Sequence, residues 1–181
     1  SCQFKRRYIN NIADMQLRKE IEPDFETVER HYPIVLKAIM RYTEYCDENG
    51  DEDLVEYNKL ANFLHQLTGK DMAQFNLWEW REEEGAEVLA FKIVLPEPQC
   101  VHNITMDEVH EVVKRLKTDI YTPSEDGSLK ELFKYHLDHY YKLFLERNFN
   151  SYTPKLFERN INDKGEYFEY TEAQIVQILW R

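Results

Sequence analysis

The chain has 181 residues, a formal charge of −11, and 31% charged against 43% hydrophobic residues, the balance of a folded globule rather than a disordered tail. It is long enough to bury roughly 70% of the surface its unfolded form exposes, so its core needs no metal or disulfide staple. No stretch approaches the ~18 apolar residues of a membrane span, and an acidic field repels nucleic-acid phosphate; neither a membrane nor a nucleic acid is an expected partner.

From the N-terminus, residues 1–19 hold five basic residues and one acidic one, a basic segment read as a flexible extension of one compact domain, 1–181. The chain begins Ser1-Cys2-Gln3, without an initiator Met or an apolar signal region. Acidity then dominates, with twelve acids against four bases over 20–59 and thirteen against six over 60–127. Phe25, Val28, Tyr32, Val35, Leu36, Ile39 and Cys46 recur at the three- and four-residue steps of a helix, with Asp24 as the expected N-cap. Pro33 lacks a backbone N–H, so a short helix to about His31 and a new one opening at Pro33, or a kink, are expected. The run Asp47–Asp53 ends this helix at Asn49-Gly50 and places acids at the start of the next, where the positive helix end favours them. That next helix, 51–68, takes Leu54, Tyr57, Leu60, Ala61, Leu64 and Leu67 as its buried stripe and Gly69 as its C-cap.

Beyond Gly69 the period changes to two. Phe75, Leu77 and Glu79 alternate with Asn76, Trp78 and Trp80. After a tip at Glu82-Glu83-Glu84-Gly85, Leu89, Phe91, Ile93 and Leu95 alternate with Val88, Ala90, Lys92 and Val94. Ended by Pro96 and Pro98, this reads as a β-hairpin, which needs helices or a third strand for support. Thr105 and Glu108 form a capping box, opening a helix to about Lys117 that is buried through Met106, Val109, Val112, Val113 and Leu116. A polar loop over 122–127 leads to the longest expected helix, 128–148, with Leu129, Leu132, Phe133, His136, Tyr140, Leu143 and Phe144 as its stripe. Lys164-Gly165 marks the tip of a short hairpin or extended turn. Thr171 and Gln174 form a second capping box before Ile175, Ile178 and Leu179. The fold class is α+β, a helix-rich single domain with a β-hairpin or small antiparallel sheet.

The motifs of familiar chemistry are missing or incomplete. Five glycines include no GxGxxG or GxxxxGK[ST] phosphate cradle, and no GxSxG elbow exists. Asp47, Asn49 and Asp51 begin like a calcium loop, but Glu52 stands where Gly is needed and Asn58 where Glu is needed. His136 and His139, three apart, could share a metal completed by Cys100, His102, His110 or a distant carboxylate. The simpler reading makes His136 a hydrogen-bonded core residue flanked by His139. Cys2, Cys46 and Cys100 are odd in number and widely spaced, which points to a reducing compartment, the cytoplasm, and Cys46 reads as core.

Trp78 and Trp80 share one face of the expected strand, rimmed by Glu79, Arg81 and the acidic tip. Aromatics ringed by carboxylates suit a binding hot spot, and clustered acids steer a cationic partner. The expected function is therefore a non-enzymatic, cofactor-free module that masks or inhibits a basic protein partner, in the manner of an immunity protein or inhibitor. The residues expected to carry it are Asp47, Glu48, Asp51, Glu52, Asp53, Trp78, Trp80, Glu82, Glu83 and Glu84. Two other readings are a metal-dependent enzyme built on His136 and His139, and a regulatory or scaffold domain of a larger protein.

Overall fold

The structure, a computed structural model, describes residues 15–80, 84–118 and 126–181. Helix α1 (Phe25–Asn49) is followed by α2 (Val55–Thr68), α3 (Ala86–Val94), α4 (Met106–Lys117), α5 (Leu129–Phe133), α6 (Asp138–Asn148) and α7 (Glu172–Leu179). Strands β1 (Asn160–Ile161) and β2 (Tyr167–Phe168) pair antiparallel, Asn160 opposite Phe168. The α+β class holds, with helix dominant and a two-stranded sheet. Among the described residues, no helix is long and apolar enough to cross a membrane.

Asp24 caps α1, its carboxylate accepting the Thr27 N–H at 3.0 Å. The stripe Val28, Tyr32, Val35, Ile39 and Tyr42 is buried on both sides of Pro33 in one continuous α1, so Pro33 does not divide the helix as expected. Pro33 lies on the exposed side, where water can satisfy the Glu29 carbonyl that loses its N–H partner.

The expected hairpin at 75–95 is absent from its place. Its second strand is helix α3, buried through Ala86, Leu89, Ala90, Phe91, Ile93 and Val94. A short, nearly all-apolar run satisfies both periods, and length alone decides poorly between them; here packing against α1 decides for helix. The first strand is a turn instead, in which Asn76 Oδ1 accepts the N–H groups of Trp78 (3.2 Å) and Glu79 (3.0 Å), an alternative that Asn offers the backbone. The sheet forms at the other anticipated turn. There Asn162 Oδ1 accepts from Lys164 and Glu166, both at 2.9 Å, and Gly165 takes φ +77°.

Phe91 sits at the centre of the core, stacked on Phe133 with centroids 4.4 Å apart and planes 4° apart. Phe25 from α1 also stacks on Phe91, at 6.0 Å, and Tyr32 tilts against Phe133 at 5.4 Å. This aromatic run ties α1, α3 and α5 together. The expected 128–148 helix is interrupted beside it: a 3-10 turn, Lys134–His136, separates α5 from α6, and Phe133 leaves the helical region at φ −107°, ψ 10°. Leu132, expected in the stripe, is 60% exposed.

A second layer packs Val109, Val112 and Val113 of α4 against Ile175, Val176 and Leu179 of α7, both helices opening with the expected capping boxes. Residues 15–22 are pinned to α4. Leu17 is buried, Arg18 Nε donates to Glu108 Oε1 at 2.6 Å, and Arg115 bridges Glu22, Glu111 and the Tyr141 hydroxyl. These partners account for the burial of Glu108 and Glu111; a charge out of water must be paired. Residues 1–14 lie outside the described residues.

Candidate functional site

Helices α1 and α2 meet in the turn Gly50–Leu54. Asp51 is only 5% exposed, which corrects its expected place on a binding surface. Its Oδ1 accepts the Glu56 N–H at 3.0 Å, and its Oδ2 accepts the Tyr57 N–H at 2.7 Å and the Tyr42 hydroxyl at 3.2 Å. It thus caps α2 from four positions before the helix begins at Val55. Burial opposes its ionisation, but these donors outweigh burial and hold its pKa below the ordinary 3.8.

The same turn forces Leu54 into the left-handed region at φ +58°, ψ 24°, a conformation costing an L-residue roughly 1–2 kcal/mol. Leu54 was expected in the buried stripe of α2, yet it is 46% exposed, and Val55 beside it is exposed too. Asp47, Glu48, Glu52 and Asp53 are exposed around them.

Trp78 and Trp80 do not share a face. Trp80 is half-buried against the core, its indole N–H donating to Thr43 Oγ1 at 3.2 Å. Trp78 is 49% exposed and stands edge-on to Tyr42, centroids 6.4 Å apart. Since buried Tyr42 contacts both Asp51 and Trp78, the indole lies beside the acidic turn, although 27 positions of sequence separate the two. Glu84 is engaged in an ion pair with Lys92, and Glu82 and Glu83 lie outside the described residues. Five expected residues therefore meet at one end of the α1–α2 hairpin: Asp47, Glu48, Glu52, Asp53 and Trp78. Leu54, Val55 and Tyr42 complete the site and were not anticipated. The signal for Tyr42 was available, three residues past Ile39 on the α1 stripe.

Both histidines of the alternative reading border a separate cavity of about 420 Å³, between α3, α6 and the loop after α2. His136 is half-buried, 6.2 Å from the Phe133 ring, and His139 is exposed. Among the described residues, no group of three or more His, Cys, Asp or Glu side chains is arranged to hold a metal ion. Cys46 is half-buried and Cys100 exposed, neither in a disulfide.

No protein-family model matches the chain, and no curated protein or solved structure shows significant similarity to it.

Proposed function

We propose that the protein is a binding module that engages and masks a basic surface on another protein, using the α1–α2 turn and Trp78. The observation that carries this reading is an exposed indole held by Tyr42 beside four exposed carboxylates. Tryptophan is among the residues that most often dominate interface energetics, and surrounding acids raise the rate of encounter with a cationic partner. The strained, outward-facing Leu54 supports the same reading, because backbone strain persists where a side chain's presentation matters more than local comfort. Cys46 and Cys100, neither in a disulfide, fit action in a reducing compartment such as the cytoplasm.

Affinity capture from native lysate tests this, run in parallel with the wild-type chain, Trp78→Ala and a variant with Asp47, Glu48, Glu52 and Asp53 all changed to Lys. A basic protein held at low salt by the wild type, and lost from both variants, is the expected result. Equal recovery by wild type and charge-reversed protein would contradict the reading.

A further inference from the structure

Lys70 is placed unusually for a lysine. It lies in the loop after α2, bordering the 420 Å³ cavity, and its Nζ donates to the main-chain carbonyls of Lys92 (2.9 Å) and Leu95 at the C-terminal end of α3. These acceptors are neutral. The negative end of the helix dipole steadies the ammonium there, but among the described residues no carboxylate stands within ion-pair distance of it. The two described acids bordering the cavity are engaged elsewhere, Glu84 with Lys92 and Glu97 with Arg147. An ammonium has three donors, and two are used. The third is left beside walls formed by Phe75, Trp80, Leu89 and Leu143, with the Phe75 ring centroid 5.8 Å from Nζ.

A half-buried charge without a carboxylate in contact is costly. Glu97 attracts the ammonium only from beyond ion-pair distance and is bonded to Arg147, and an anion entering the cavity would supply the contact. We propose that this cavity binds an amphipathic organic monoanion, a small molecule carrying one carboxylate on an aromatic or short aliphatic body. Its carboxylate meets the Lys70 ammonium and its body lies against Phe75 and Trp80. The volume falls within the ~300–1,000 Å³ of small-molecule sites. One ammonium matches a single negative charge, since Lys92, the other described cation bordering the cavity, is already paired with Glu84. Among the described residues, a cationic ligand finds no carboxylate at the border that is not already paired. The site is distinct from the α1–α2 turn and stands or falls independently of it.

Among the described residues, the charged and titratable groups facing Lys70 are Glu84, Lys92, Glu97, His136, His139 and Tyr140, with Arg147 behind Glu97. Burial is the main influence on Lys70 and pushes its pKa down to about 8. The ammonium is therefore lost from the free protein as pH rises through that value, and a bound carboxylate restores it. Binding should take up a proton in this range.

Isothermal titration of the full chain with 4-phenylbutyrate, 4-phenylbutanol and 4-phenylbutylamine tests the proposal. The carboxylate should bind at least about tenfold tighter than either analogue, the order of one charge-assisted contact. Lys70→Met should lose that advantage and Lys70→Arg keep it, while Lys59→Met, on the outer face of α2, changes nothing. Wild-type affinity for 4-phenylbutyrate should fall by up to about tenfold per pH unit above pH 8. Absence of saturable 4-phenylbutyrate binding, equal affinity for the three probes, or wild-type affinity in Lys70→Met would overturn it. Should Lys70→Met fail to fold, the three-probe comparison and the pH slope on wild-type protein decide.

Discussion

Tyr42 and Trp78 meet edge-on, ring centroids 6.4 Å apart and planes 66° apart, across the gap between α1 and the loop before α3. Tyr42 is itself buried and its hydroxyl is committed to Asp51. One side chain thus braces two features that sequence separates, the acidic turn and the exposed indole. Its phenol is hard to ionise, chiefly because burial raises its pKa. At physiological pH it remains a neutral donor to a carboxylate that also caps α2.

Leu54 sits at the crest of this turn in a conformation that suits glycine or asparagine. Leu54→Gly should raise stability by about 0.5–1 kcal/mol, the relief of left-handed strain less the extra entropy of glycine. The same change should weaken partner binding. Urea denaturation and partner affinity, measured on one preparation, should move in opposite directions; a loss of stability would show that the Leu54 side chain supports the fold.

Acid should destabilise the protein in a narrow window. Asp51 titrates below its unfolded value of 3.8, so its contribution is complete above that value and disappears as pH falls through the lower folded one. Glu108 behaves the same way relative to 4.5, burial being outweighed by its bonds to Thr105 and Arg18; Glu97 does so mainly through Arg147. The melting temperature should therefore hold down to about pH 4.5 and fall below it. Asp51→Asn should lower stability at neutral pH and flatten the acid limb, and an unchanged limb would remove Asp51 from its capping role.

The Phe91–Phe133 stack is the centre of the core. Phe91→Ala should cost about 3–5 kcal/mol, since a close-packed interior refills such a cavity only in part. Phe91→Leu should cost distinctly less. A loss under about 1 kcal/mol for the alanine variant would mean that the aromatic run is dispensable.

Pro33 interrupts one hydrogen bond in the middle of α1 while the helix continues past it. Pro33→Ala should stabilise the protein by up to about 3 kcal/mol, because the Glu29 carbonyl regains a donor and the ring no longer crowds the preceding turn. Destabilisation would imply that a bend at Pro33 is needed for α1 to follow the core.

Much of this structure could be read from local chemistry. Asp24, Thr105 and Thr171 marked true helix starts because side-chain caps are decided within four residues. Gly69 and Gly165 marked true stops and turns, each with positive φ. The errors arose where tertiary packing chose between local options. The run 86–94 suits strand or helix, and α1 selected helix. Pro33 suits a break, but the buried stripe held α1 together. At the candidate site, alternation placed Trp78 and Trp80 on one face. The Asn76 turn instead sent one outward and one inward, a choice fixed by two hydrogen bonds that no period reveals. Asp51 had the sequence signature of a solvated acid, and only its three donors distinguish it from Glu52 and Asp53.

The most direct test of the binding role is the association rate with the captured basic partner, followed by stopped flow from about 20 to about 300 mM salt, a range over which screening tightens sharply. If Asp47, Glu48, Glu52 and Asp53 steer the encounter, the wild-type rate should fall at least about tenfold across that range. The variant with all four changed to Lys should associate slowly and lose that salt dependence. Identical salt slopes for the two proteins would contradict a role for the α1–α2 turn in recognition.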